Sequence, residues 1–276
     1  MKIAVLSGKG GAGKTMVAVN LAATKPGCTY VDCDVEEPNG RLFWKPQRVR
    51  TQEVFTTVPE VDGEKCSGCR RCVEACRFHA LLFIRNQPRL FESGCHSCGL
   101  CEMVCPEQAI REKKRPIGRV EVGVSGETRT ITGILNPGEG SGVGVIRAAL
   151  EQAESDETVV IDCPPGSACT VTESIQDADF CILVCEATAF GFHNFKMVHE
   201  LAKLLGRRCG VIVNKAEGTY EPLERYCREE NLSVLARIPY DGELAKLGAE
   251  GRILAEKPEI SELFRGVWAQ IGGEAS

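Results

Sequence analysis

No apolar run in the 276-residue chain approaches the roughly 18–20 residues needed to cross a bilayer, which excludes a helical membrane protein. Basic charge is not in surplus either. Lys and Arg number 33 against 38 Asp and Glu, a net charge of −5, so a protein built to coat nucleic acid is not expected. The start lacks a secretory signal: the short apolar stretch Ile3 to Ser7 runs straight into glycines with no cleavage-like site, and a cytoplasmic protein is expected. The stretch Glu259 to Ser276 carries one arginine and no lysine, too little for a basic amphipathic membrane anchor. What the chain has in abundance is cysteine. There are 16, and eight of them fall between Cys66 and Cys105. In a reducing compartment such a cluster points to metal or redox chemistry before disulfides.

The cysteines divide the chain. Before them, Lys2 to Ser7 reads as a strand, Lys14 to about Ala23 as a helix and Thr29 to Cys33 as a second strand, the opening of a βαβ unit. After them, strands are expected at Val159–Asp162, Phe180–Cys185, Val211–Asn214 and Val234–Ile238, with helices at Val145–Glu154, Asn194–Leu205 and Pro222–Glu230. Wholly apolar strands suit a sheet covered on both faces. The expected architecture is an α/β fold, a mostly parallel sheet with helices on both sides, formed by residues 1–56 and 115–276. A small α+β insert at 57–114 interrupts it.

Gly8-Lys-Gly-Gly-Ala-Gly-Lys-Thr15 satisfies G-x-x-x-x-G-K-[ST] between a strand and a helix. In that context Gly8, Gly10, Gly11, Ala12 and Gly13 turn backbone N–H groups toward phosphate. Lys14 would reach the β- and γ-phosphates, and Thr15 would ligate Mg²⁺. Lys9 adds a second lysine. The resulting K-G-G-x-G-K-T resembles the deviant Walker A loop of the MinD/ParA-type ATPases, a group that includes the nitrogenase iron protein. The resemblance implies ATP as ligand, a homodimer, and a Lys9 that crosses to the partner's nucleotide. It also implies that Asp34 positions the attacking water and that Asn39 stands at a family asparagine. Asp162 would act near Mg²⁺, the Gly166 amide near the γ-phosphate, Asn214 at adenine, and Asp241 as a second adenine or ribose contact. The plainer reading of Asp34 and Asp162 is a strand-end aspartate capping a turn.

Two repeats read C-x₂-C-x₂-C-x₃-C: Cys66, Cys69, Cys72 and Cys76, then Cys95, Cys98, Cys101 and Cys105. This is the two-cluster bacterial ferredoxin run, in which the fourth cysteine of each repeat serves the other cluster. It implies one [4Fe-4S] cluster on Cys66, Cys69, Cys72 and Cys105 and a second on Cys95, Cys98, Cys101 and Cys76. Structural zinc is the competing reading. Pro106 follows Cys105 as in ferredoxins, whereas Arg77 follows Cys76.

Cys28, Cys33, Cys181, Cys185 and Cys209 lie in or beside apolar strands and are expected to act as small hydrophobes. Cys227, His96, His193 and His199 carry no assigned role. In the nitrogenase iron protein two cysteines of each chain hold an interfacial cluster. Cys169 stands at the spacing of one of them, but residues 138–144 contain none, so no such cluster is expected. The whole resembles MinD-superfamily ATPases with an inserted ferredoxin domain. That resemblance implies an ATPase coupling nucleotide state to electron transfer toward a redox or iron–sulfur acceptor protein. An iron–sulfur carrier or scaffold similar to Mrp-type ATPases is the alternative, and a MinD- or ParA-like positioning protein a third.

Overall fold

The computed structural model describes residues 1–273. Its elements in chain order are β1 (Lys2–Leu6), α1 (Lys14–Ala23), β2 (Thr29–Asp32), α2 (Gly40–Phe43), β3 (Gln47–Val61), α3 (Arg71–Ala75), β4 (Leu81–Ile84), β5 (Gln87–Leu90), α4 (Leu100–Met103), β6 (Ile110–Ser125), β7 (Thr128–Leu135), α5 (Val143–Glu151), β8 (Val159–Asp162), α6 (Cys169–Ile175), β9 (Phe180–Glu186), α7 (Ala189–Leu204), β10 (Arg208–Ala216), α8 (Glu221–Glu229), β11 (Ser233–Pro239), α9 (Gly242–Ala249) and α10 (Pro258–Gly273).

Nine strands form one sheet in the order β11-β10-β9-β1-β8-β2-β7-β6-β3. Every pair from β11 to β7 is parallel, and the β7–β6 and β6–β3 pairs are antiparallel. Successive side chains of a strand point to opposite faces, and β1 feeds two cores accordingly. Ala4 and Leu6 pack with Val145, Ile146, Val171, Phe195 and Leu223 of α5, α6, α7 and α8. Ile3 and Val5 pack with Val17, Leu21, Phe264 and Val267 of α1 and α10. The α/β sheet with helices on both faces is therefore as expected. No helix among the described residues is long and apolar enough to cross a membrane.

Spatial order differs from chain order at the point that matters. β1 and β2 are consecutive strands but not neighbours, because β8 lies between them. The strands that follow β1 thus diverge to both sides of it, and ligands of such sheets bind beyond the strand ends at that switch. The register sets Asp32 of β2 directly beside Asp162 of β8.

Three strands of the large sheet escape the sequence reading, β3, β6 and β7, as do β4 and β5 of the insert. β3 and β6 pair over a long antiparallel ribbon, from Gln47 opposite Val124 to Val61 opposite Ile110. Charged residues interrupt both, four in β3 and seven in β6, so no long apolar run announces them. Pro59 is tolerated because β3 is the sheet's edge. The ribbon runs through both expected segment boundaries, and residues 57 and 114 face each other across it. Beyond its far end, residues 62–109 hold α3, α4 and the β4–β5 hairpin. A small core of Cys72, Leu81 and Ile110 closes this segment.

Candidate functional site

The loop from Ser7 to Thr15 joins β1 to α1 at the switch point. Gly13 has φ +92°, and a Cβ there would lie 2.0 Å from Asn214 Nδ2, so any side chain at this position would collide with β10. Asn214 in turn donates to the Ala12 carbonyl at 2.8 Å. The Gly166 amide donates to the Ser7 carbonyl at 3.0 Å, which fastens the turn after β8 to the loop.

Lys14 is buried, with Nζ 2.7 Å from Asp162 Oδ1 and 3.5 Å from Asp34 Oδ2. Burial lowers its tendency to hold a proton, but Asp162, Asp34 and Asp32 outweigh that and raise its pKa. Burial pushes the carboxyl of Asp34 up, opposed by Lys14. It pushes Asp32 up further, reinforced by Asp162. Ser7, Lys9, Gly10, Gly11, Gly13, Lys14, Thr15, Asp34, Asn39 and Pro164 line a cleft of about 620 Å³. A smaller apolar cavity of about 210 Å³ adjoins it, walled by Gly13, Met16, Asn214, Ile238, Tyr240 and Asp241. Asp241 itself is committed as the cap of α9, its Oδ1 accepting from Glu243 N at 2.7 Å and Leu244 N at 3.2 Å. Gly8 and Gly166 do not line the cleft; both sit behind it in the loop and the turn after β8.

Four functional neighbours are not evident from the sequence. Tyr30, wholly buried, donates its hydroxyl to Asp162 Oδ2 at 2.9 Å. Asp32 accepts from Gly40 N at 2.8 Å and holds the start of α2. Glu186, at the end of β9, pairs with Lys9 at 2.5 Å and with Lys215 at 2.7 Å. Lys215 also reaches the Gly11 carbonyl at 2.9 Å. The signals that point to two of them are slight: Asp32 lies inside Asp32-Cys-Asp34, and Glu186 follows an apolar strand.

All 16 cysteines are free thiols. Those of the insert gather about two cavities. Cys76, Cys95, Cys98 and Cys101 line one, with Phe78 and His96 stacked at 3.8 Å beside them. Cys66, Cys69, Cys72 and Cys105 line the other. The two repeats share a backbone. Left-handed residues recur at Arg70 and Gly99 and again at His79 and Gln108. Cys76 Sγ accepts from Ala80 N and Cys105 Sγ from Ala109 N, both at 3.3 Å. The turn after Cys76 closes by His79 N to Cys76 O at 3.2 Å, and that after Cys105 by Gln108 N to Cys105 O at 3.2 Å. Arg77 therefore makes the same turn as Pro106. Burial pushes the Cys101 thiol up to about 11 and Cys72 the same way, so any metal must displace protons there. Among the described residues, no group of three or more His, Cys, Asp and Glu is gathered as a single-ion site. Cys28, Cys33, Cys181, Cys185 and Cys227 are buried and Cys209 half-buried, whereas Cys169 is exposed. His199 is buried against Tyr226.

A model of the CobQ/CobB/MinD/ParA nucleotide binding domain matches residues 3–254. An uncharacterised protein of Methanocaldococcus jannaschii is 27% identical over 280 residues, which cover 98% of this chain and 96% of that one. MinD of Pyrococcus horikoshii, solved with Mg-ADP, superposes with a TM-score of 0.60 at 16% identity, covering 100% of this chain and 97% of that one; the likeness is one of fold. A stretch of 54 residues, 18% of this chain, is 35% identical to 70% of an uncharacterised ferredoxin of M. jannaschii.

Proposed function

The chain belongs to the CobQ/CobB/MinD/ParA family of nucleotide-binding domains, and from that premise we propose that it binds and hydrolyses ATP with Mg²⁺ as a homodimer and couples nucleotide state to electron transfer through two [4Fe-4S] clusters. The observation that carries the reading is the division of the insert's eight cysteines, four and four, about two cavities. Each set takes three thiols from one repeat and the last from the other, the grouping of a crossed two-cluster ferredoxin. Zinc, the competing occupant, would need four donors converging at roughly 2.3 Å on one point in each set. When bound, such clusters supply one-electron transfer.

The chain's own residues divide the remaining work. The Lys14 ammonium, held by Asp162, turns to the β- and γ-phosphates. Thr15 and Asp162 would hold Mg²⁺, which would offset charge on the phosphates, and Asp34 would orient the attacking water. Asn214 meets the base in the apolar cavity. Lys9, on the cleft's rim, serves the partner subunit's nucleotide. The acceptor is a redox protein that approaches the insert.

A carrier role, with clusters handed to an iron–sulfur acceptor, is the second reading, favoured by the exposure of Cys69 and Cys98. Anaerobic purification with iron and sulfide analysis tests both. About eight of each per chain, retained through ATP turnover, support electron transfer. Release to an acceptor during turnover supports the carrier, and one zinc per four-cysteine set overturns both.

A further inference from the structure

A path of contacts, separate from the chain that runs from Asn39 through α2 and β3, leads from the nucleotide cleft to the cysteines. Asp34 lies 3.5 Å from Lys14 at the cleft, and the next residue, Val35, is gripped from two sides. Its carbonyl accepts from Leu135 N at 2.9 Å, at the end of β7. Its side chain lies against Gly142, where a Cβ would come within 2.6 Å of Val35 Cγ2. A shift at Asp34 therefore displaces the loop from residue 136 to 142, because close packing transmits small motions and does not absorb them.

That loop carries Glu139. Its carboxylate receives a two-pronged contact from Arg115 of β6, Nη1 at 2.5 Å and Nη2 at 2.7 Å. The third nitrogen of the same guanidinium, Nε, is buried and makes no hydrogen bond, with Glu92 Oε2 3.6 Å away. Glu92 opens the short turn Glu92–Gly94, which Cys95 N closes on the Glu92 carbonyl at 3.0 Å. The two loops also touch directly: a Cβ on Gly140 would lie 2.9 Å from the Ser93 carbonyl. Arg115 thus bridges the two loops, hydrogen-bonded to Glu139 on the nucleotide side and in a longer ion pair through Nε with Glu92 on the cysteine side. A planar fork held by two carboxylates can shift its balance from one to the other.

We propose that Arg115 is the positioning residue that couples the nucleotide cleft to the four-cysteine cavity of Cys76, Cys95, Cys98 and Cys101, by exchanging Glu139 for Glu92 as nucleotide binds. The inference rests on the coupled-ATPase reading and names its route. It also separates the two cavities, since the contact reaches the turn before Cys95 and the Cys66, Cys69, Cys72 and Cys105 set lies outside it.

The test compares wild type, Glu139→Gln and Arg115→Lys. Gln keeps the size of Glu139 but loses the charged fork, and Lys keeps the charge of Arg115 without its two-pronged geometry. The first measurement is hydrogen exchange of residues 92–99 in anaerobically purified protein, with and without Mg-ADP. Exchange in that window changes with nucleotide in wild type and does not in either variant, while Mg-ADP affinity stays within about twofold of wild type. The second is a spectroscopic redox titration of anaerobic, iron-loaded protein. One of the two cluster potentials moves with nucleotide in wild type and neither moves in the variants. A nucleotide-dependent change that survives Glu139→Gln and Arg115→Lys overturns the proposed route. So does an unchanged 92–99 window in nucleotide-bound wild type. Absence of iron from anaerobic wild type would defeat the iron–sulfur reading, and the exchange experiment on the same protein would still decide the route.

Discussion

Lys9 Nζ is bound to Glu186 Oε2 of its own chain at 2.5 Å, with the ammonium 5.3 Å from the centre of the Phe190 ring. The lysine assigned to the partner subunit's nucleotide is therefore occupied at home in the single chain. Burial works against the charge of Glu186, but hydrogen bonds from Lys215 and Lys9 prevail and hold its carboxyl below the usual range. The pair must open before Lys9 can cross. Glu186→Gln should weaken it by ~1 kcal/mol in each subunit, ~2 kcal/mol per dimer, and lower the protein concentration needed for ATP-dependent dimerisation about thirtyfold. Sedimentation velocity at several concentrations checks this; unchanged self-association would remove the competition from the account.

Lys14 and Asp162 form the reverse case, a pair with no exposure on the aspartate and 7% on the lysine. Removing one partner leaves a buried charge without compensation. Lys14→Ala should abolish nucleotide binding and also destabilise the empty protein by about 3 kcal/mol. Urea denaturation reads the second effect. A variant as stable as wild type would mean that Tyr30 alone suffices for Asp162.

Gly13 and Gly10 should separate within one loop. Gly13→Ala puts a Cβ into Asn214 at a positive φ, whereas a Cβ at Gly10 meets nothing within 4 Å. Gly13→Ala should lower the melting temperature and lose nucleotide. Gly10→Ala should melt within about 0.5 kcal/mol of wild type in the absence of nucleotide. Differential scanning calorimetry distinguishes them.

His199 supplies a pH dependence. Burial holds its pKa below 6.5, against Glu230 and Glu200, which favour the charged ring, with Lys203 opposing them. Its ring packs on Phe195 and meets the Tyr226 hydroxyl at 2.9 Å. A histidine whose folded pKa is depressed contributes stability above its unfolded value, and that contribution is lost as pH falls through the folded one. Thermal stability should therefore decline as pH drops below about 6.5, and less steeply in His199→Gln. Equal slopes for the two proteins would assign the acid sensitivity elsewhere.

The cysteine grouping can be dissected as well. Cys76→Ser should damage the site shared with Cys95, Cys98 and Cys101, and Cys105→Ser the site shared with Cys66, Cys69 and Cys72. Each should lose about half of the iron. Damage confined to the mutated cysteine's own repeat would refute the crossed grouping.

Much of the fold and of the cleft is legible in the amino-acid sequence. The apolar strands that lead to Asp34, Asp162 and Asn214 announce themselves because burial on two faces demands unbroken apolar runs. The phosphate loop is legible because its backbone tolerates few sequences. β3 and β6 are not, since their long ribbon is stabilised by cross-strand pairing and carries exposed Arg, Lys and Glu. Tyr30 and Glu186 escape for another reason. Each acts through a partner more than a hundred residues away, and only the strand order brings them together. Asp241 reads as a nucleotide contact in the sequence, yet one of its oxygens already caps α9.

In the proposed function nucleotide state governs electron flow through the insert. The most direct test is the rate at which an external reductant reduces anaerobic, iron-replete protein, measured with and without Mg-ATP in wild type and Lys9→Ala. The account predicts a rate that changes with ATP in wild type and does not change in Lys9→Ala, which still binds nucleotide. A wild-type protein with its full iron complement and a reduction rate indifferent to ATP would contradict it.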